Sequence, residues 1–146
     1  MVKGAAIVFA AACAIGAAPA VVRAAQGTAA KSTWDGVYGD AQAQRGEAIY
    51  GAKCVECHGP EGSGGSAPVL NGAEFAVQWD GIALSDLFDR IRTTAPATNP
   101  GTLNRDEVAA LMAYLLKVSG FPSGPSDLPN SPEFLKPIKY LPARPF

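Results

Sequence analysis

The chain is poor in the residues that most often build polar sites. In 146 residues it has one histidine, His58, with two methionines and three cysteines. A single imidazole excludes any metal site that needs two, such as a zinc helix with paired histidines. Three cysteines are too few for a disulfide framework. Charge of one sign is missing too. Twelve Lys and Arg face thirteen Asp and Glu, a formal net charge of -1, so no basic excess exists to bind nucleic acid. Charged residues make up 17% and hydrophobic ones 48%, which is too apolar for a disordered chain and enough for one folded domain. No run alternates well enough to predict a sheet.

Residues 1–25 read as a secretory signal peptide. Lys3 gives the short positive end, an Ala-rich apolar run extends from Gly4 to Val22, and Val22-Arg23-Ala24 offers small residues where a signal peptidase reads. Cleavage after Ala24 or Ala25 fits, with Ala18-Pro19-Ala20 as a second site. Two other readings compete, an uncleaved membrane anchor and a lipoprotein through Cys13. The run is long enough to span, yet it is mostly alanine, contains Pro19 and ends in a cleavable pattern. Ala10 stands where a lipid-attachment signal has a large residue. Cleavage removes Met1, Cys13, Lys3 and Arg23. The exported chain would then be periplasmic, with no membrane segment, and would keep two cysteines, His58 and Met112.

Those cysteines stand together in Cys54-Val55-Glu56-Cys57-His58, the c-type haem attachment pattern. Two thiols three residues apart can add to the two vinyl groups on one porphyrin edge, and the next imidazole can bind the iron as proximal ligand. A zinc site would need further Cys or His, which the exported chain lacks. A thioredoxin-like pair would need a βαβ context. A Cys54–Cys57 disulfide is possible and leaves His58 unexplained.

The remaining pattern predicts a small all-α domain with three main helices. The first runs from Asp40, as N-cap, to about Lys53, with Gly46, Ile49 and Tyr50 on one face. Gly59 to Gly72 is a glycine-rich loop. A second helix spans Ser85 to Thr94, capped by Ser85, with Leu84, Leu87, Phe88 and Ile91 as its apolar stripe. Ala95 to Gly101 must be non-helical. A third helix runs from about Arg105 to Ser119, starting at an Asn104/Glu107 capping box and stopping at Gly120. Seven of the twelve prolines fall in the last 26 residues, which predicts an extended wrap or a flexible end and no further helix. The expected organisation is a signal peptide over 1–25, an N-terminal extension over 26–39, a haem domain over 40–120 and a Pro-rich tail over 121–146.

From about Trp34 to Tyr140 the chain resembles a class I c-type cytochrome. It is similar in particular to the small cytochromes associated with periplasmic quinoprotein (PQQ) dehydrogenases. The residues that carry this are Trp34-Asp35-Gly36-Val37-Tyr38, the attachment pattern, Phe75 to Trp79, Leu87 to Thr94, Asn99-Pro100-Gly101-Thr102-Leu103, and Ala113-Tyr114-Leu115-Leu116 through Gly120-Phe121-Pro122. The resemblance implies one haem c, covalent through Cys54 and Cys57, with His58 on the iron. It implies that Gly46 and Tyr50 cross the last helix near Leu111 and Tyr114. Pro68 would accept the imidazole N–H through its carbonyl, fixing the ring. Leu70 would pack on the porphyrin, and Trp79 would either donate to a haem propionate or serve as a core aromatic.

One segment departs from the family. A methionine ligand is expected after the second helix, and this chain has Thr93-Thr94-Ala95-Pro96. A methyl group cannot bind iron. Met112 is either a replacement ligand or, by its place on an apolar face, a core residue; a lysine or other side chain swinging in, water, or an empty position are the other occupants. The resemblance implies an electron carrier, passing single electrons from a PQQ-dependent dehydrogenase to a terminal oxidase or another cytochrome. The departure adds an alternative, a haem protein with an open sixth position that binds small ligands or has weak peroxidase activity. A second histidine for distal acid–base work is lacking. A third possibility is a degenerate structural subunit of a dehydrogenase complex, its haem kept for folding.

Overall fold

In the computed structural model, which describes Met1 and residues 31–145, two helices cross face to face and organise everything else. The expected signal peptide, Met1 apart, and the first residues of the extension lie outside the described residues. The crossing pair are α1 (Asp40–Lys53) and α5 (Arg105–Val118). Between them lie the one-turn α2 (Val55–His58), a 3-10 turn at Pro60–Gly62, α3 (Gly72–Trp79) and α4 (Leu84–Thr94). After them come the short α6 (Pro132–Leu135) and the strand β2 (Ile138–Lys139), which pairs in parallel with β1 (Lys31–Ser32).

Helix α5 forms where its ends demand it. The Asn104 side chain accepts from the Glu107 amide at 3.0 Å, and the Glu107 carboxylate accepts from the Asn104 amide at 2.9 Å, so two orphan donors of the first turn are satisfied reciprocally. Every residue from Val108 to Leu116 is buried, as befits a helix at the centre of the molecule. Gly120, at φ +83°, ends it in the left-handed region that glycine enters without strain.

Helix α1 meets α5 through Gly46. A Cβ at Gly46 would overlap the Ala110 carbonyl and lie 2.9 Å from the Tyr114 Cβ, so only hydrogen allows the two backbones so close. The crossing falls on Ala110 and Tyr114, one residue from the Leu111 expected. Tyr50, one turn on, stacks against Tyr114 with ring centroids 5.1 Å apart. The cap differs from expectation: Gly39 occupies the N-cap and Asp40 is the first helical residue. Asp40 still serves the helix start, as an acid in the first turn, while it accepts from the Ser123 hydroxyl at 3.0 Å.

Three further expectations are corrected. Ser85 does not cap α4; Ala83 is its N-cap and Ser85 is buried inside the helix. The cause is tertiary, because Ala83 forms an antiparallel bridge to Lys139 and the chain enters the helix directly from it. The described residues hold six helices against three main ones expected, the addition of substance being α3. Its two turns carry Phe75 and Trp79 four residues apart, both buried, a pattern too short to stand out in sequence. The tail, expected without helix or sheet, supplies α6 and β2.

That tail is packed into the core. Phe121, Leu128, Leu135, Ile138 and Tyr140 are all buried. Gln42 holds the Leu128 backbone by both ends, donating to its carbonyl at 2.9 Å and accepting from its amide at 2.7 Å. Tyr38 donates to the Phe121 carbonyl at 2.7 Å and the Trp34 indole to the Leu141 carbonyl at 2.8 Å. Trp34, Phe121, Tyr140 and Phe75 form an aromatic chain with successive centroids 5.0, 5.2 and 5.9 Å apart. Among the described residues no helix is long and apolar enough to cross a membrane.

Because the Gly46 contact is backbone against backbone, Gly46→Ala is expected to destabilise the protein by about 1–3 kcal/mol, the usual cost of overpacking, where a helix surface would have gained from alanine. Denaturant unfolding of the two proteins measures it.

Candidate haem site

The end of α1 leads straight into the attachment residues. The Cys54 amide donates to the Tyr50 carbonyl at 2.9 Å and finishes the helix. One turn, α2, then carries Cys57 and His58. Gly59, at φ +73°, turns the chain away, and the following loop is tied back by backbone bonds from Ala67 to the Cys57 carbonyl (3.0 Å) and from Gly64 to the His58 carbonyl (2.7 Å). These ties bring the Pro68 carbonyl within 2.7 Å of His58 Nδ1. A carbonyl can only accept, so Nδ1 carries the proton and Nε2 keeps its lone pair. Tyr50 supports the same turn by donating its hydroxyl to the Gly59 carbonyl at 2.7 Å. Burial pushes the phenol up to about 12, so it remains a donor through the neutral range.

Cys54, Cys57, His58, Pro68, Leu70 and Trp79 all line one cavity of about 750 Å³, with Ala95 in its wall. That volume lies within the ~300–1,000 Å³ common for small-molecule and cofactor sites. Neither thiol is in a disulfide; Cys54 is half-buried and Cys57 exposed. Burial, and to a lesser degree the neighbouring Cys57, pushes the Cys54 thiol up against the opposing pull of Lys53. The described residues contain no cluster of three or more His, Cys, Asp or Glu able to hold a metal ion. Their only strand pairing is the two-residue β1–β2 ladder, far from any βαβ unit.

Residues 41–115, just over half of the chain, match the protein-family model described as cytochrome C oxidase, cbb3-type, subunit III. The chain belongs to this family of c-type cytochrome domains. No curated protein and no solved structure matches it. A cytochrome c of this size is an electron carrier rather than an enzyme, holds one covalently bound haem c, and works with redox partner proteins. The cavity fits that group on its own chemistry: free thiols, an imidazole with an uncommitted Nε2, and apolar walls. Cys54, Cys57 and His58 are the residues that could hold it.

Several lining residues of this cytochrome were legible in the sequence as apolar positions but not as parts of the site. Phe75 comes from α3, Leu87 and Ile91 from α4, Leu111 and Leu115 from α5. The pairs Leu87/Ile91 and Leu111/Leu115 are each one helical turn apart, the only signal available beforehand; the fold alone shows that both turns face one cavity. Met112, between the latter two, is fully buried and stands outside the cavity wall. The Trp79 indole N–H has no hydrogen-bond partner among the described residues and lies in the wall, against 2.8 Å from indole to carbonyl oxygen for Trp34.

Lys53 pairs with Glu107 at 3.1 Å and so ties the residue before Cys54 to the start of α5. The Asn104 amide first, then Lys53, holds the Glu107 carboxyl below its ordinary 4.5. A lowered folded-state pKa stabilises the protein above the unfolded value and loses that contribution as pH falls through the folded one. Glu107→Gln is therefore expected to be less stable than wild type at neutral pH. The gap should narrow below pH 4.5, read from urea midpoints across a pH series.

Proposed function

We propose that this protein is a periplasmic mono-haem cytochrome that accepts single electrons from a quinoprotein dehydrogenase and passes them to a terminal oxidase or another cytochrome. Cys54 and Cys57 would hold the porphyrin edge through thioethers, and His58 Nε2 would ligate the iron. The observation that carries this is the 2.7 Å contact between His58 Nδ1 and the Pro68 carbonyl inside the same cavity as both thiols. It presets the one tautomer able to ligate and, by drawing on the N–H, makes the ligating nitrogen more electron-rich.

Haem c supplies the one-electron couple. This chain's residues tune and shield it. Phe75, Leu87, Ile91, Leu111 and Leu115 line the cavity with apolar surface, which with haem in place would lower the local dielectric and limit reorganisation around the site. Leu70 would pack on the ring, and the Trp79 indole N–H would be available to a propionate. Cys57 is exposed, so the attachment edge reaches the surface where a partner can approach. Export is supported by the Lys3, Ala-rich and Val22-Arg23-Ala24 pattern. The dehydrogenase as donor is supported by the resemblance of Asn99-Pro100-Gly101-Thr102-Leu103 and the flanking segments to cytochromes of that association.

Protein produced with a haem-attachment system should give the alkaline pyridine spectrum of two thioethers. Cys54→Ser and Cys57→Ser should each shift the reduced band to that of one thioether, and the double variant should lose its haem to acid–acetone extraction. His58→Ala should keep haem covalently but lose the iron–imidazole stretching band of the ferrous protein in the resonance Raman spectrum. A wild-type haem that acid–acetone removes would refute the site. Stopped-flow reduction by a purified quinoprotein dehydrogenase, absent with a flavin dehydrogenase, tests the donor.

A further inference from the structure

We propose that the iron face opposite His58 carries no protein ligand and forms a binding site for a small neutral diatomic molecule of the carbon monoxide class. This rests on His58 holding the haem in the cavity described above. Side chains able to bind haem iron in proteins are imidazole, thiolate, thioether and phenolate, with a lysine amine as a further nitrogen donor. Among the described residues, those of these types that line the cavity are Tyr50, Lys53, Cys54, Cys57 and His58.

The chain has one imidazole, already used. Cys54 and Cys57 are three residues apart on the attachment edge. Tyr50 reaches the cavity, but its hydroxyl donates to the Gly59 carbonyl at 2.7 Å and is held on the side of His58. Lys53 is bound to Glu107 at 3.1 Å. Met112, fully buried, lies one residue past Leu111. A helix turns about 100° per residue, so with Leu111 and Leu115 lining the cavity, the thioether points elsewhere into the core. Moving it to the iron would need α5 to rotate, and Gly46 locks α5 against α1 at Ala110 and Tyr114.

Ala95 closes the argument. It caps α4, donating its amide to the Ile91 carbonyl at 3.0 Å, and is half-buried in the cavity wall. This is the position at which the resembled family has its sulfur ligand. The methyl group leaves room and no donor. Leu87, Ile91, Leu111 and Leu115 give the wall a predominantly apolar surface, with Arg90 of α4 the charged side chain among them; against the apolar part a neutral ligand loses no hydration, whereas a bare charge does. The ligand's lone pair fills the open coordination position; no protein bond breaks and no electron changes hands.

The test uses the full-length haem-loaded protein with carbon monoxide as the probe, comparing wild type, Met112→Leu, Lys53→Ala and Ala95→Met. Wild type should be high-spin when ferric, lack the near-infrared thioether–iron band and, when ferrous, bind carbon monoxide in one fast phase. Met112→Leu and Lys53→Ala should behave identically. Ala95→Met should become low-spin, gain the band and lose carbon monoxide affinity by about a hundredfold, since a thioether bound ~99% of the time leaves ~1% of the sites free. A low-spin wild type whose spectrum changes on Met112→Leu or Lys53→Ala overturns the proposal, as does a wild type that does not bind carbon monoxide. Should Ala95→Met not fold, the other three proteins still decide. Failure of the haem assignment itself is separate, because it shows as haem removable by acid–acetone.

Discussion

The close backbone approach where Gly46 of α1 meets Ala110 of α5 governs the rest because both helices continue into the haem site. Eight residues beyond Gly46, α1 ends at Cys54. From its contact, α5 turns Leu111 and Leu115 toward the same space. A shift along either helix would separate the attachment residues from the wall that shields them. The stacking of Tyr50 on Tyr114 and the pairing of Lys53 with Glu107 repeat the constraint at successive turns. Neither would hold the register alone: an exposed ion pair contributes little, whereas a steric exclusion admits few alternatives.

Around that pair the site is assembled by backbone bonds. The loop after His58 has little apolar surface to bury, and its shape comes from amides of Gly64, Ala67 and Leu70 donating to carbonyls of His58, Cys57 and Gly62. Such ties can set a carbonyl accurately opposite an imidazole N–H, which is what the Pro68–His58 contact requires. Helix α4 and its ending at Ala95 are positioned differently, through Ala83 bridged to Lys139 and through the Tyr140 amide donating to the Ile82 carbonyl at 2.9 Å. The C-terminal tail thus helps set the cavity wall from a distance, with Trp34 and Tyr38 holding it down.

Much of this was legible in advance where the chemistry is local. The attachment pattern needs only five consecutive residues and the Asn104/Glu107 capping box only four; the capping box forms as the sequence predicts. The starts of α1 and α4 do not, although Asp40 and Ser85 are good capping residues. Their neighbours Gly39 and Ala83 take the cap, and the backbone of Ala83 is bridged to Lys139 of the distant tail. Helix α3 escaped notice because two turns give too few periods to count. The tail's α6 and β2 escaped because prolines speak against both, and pairing with Lys31–Ser32, more than a hundred residues away in the chain, leaves no local trace.

The sequence by itself determined the prosthetic group, since two thiols and an imidazole at that spacing carry their own chemistry, and it determined that one imidazole would have to suffice. It also showed that Ala95 brings no donor. Whether Met112 could take that place was beyond it, because a methionine on an apolar helix face reads the same whether it points at a cofactor or at its neighbours. Only the packing of α5 against Gly46 decides that direction. It turns Leu111 and Leu115 into the cavity and Met112 into the core, for the plain reason that a helix locked on one face has no freedom left on the others.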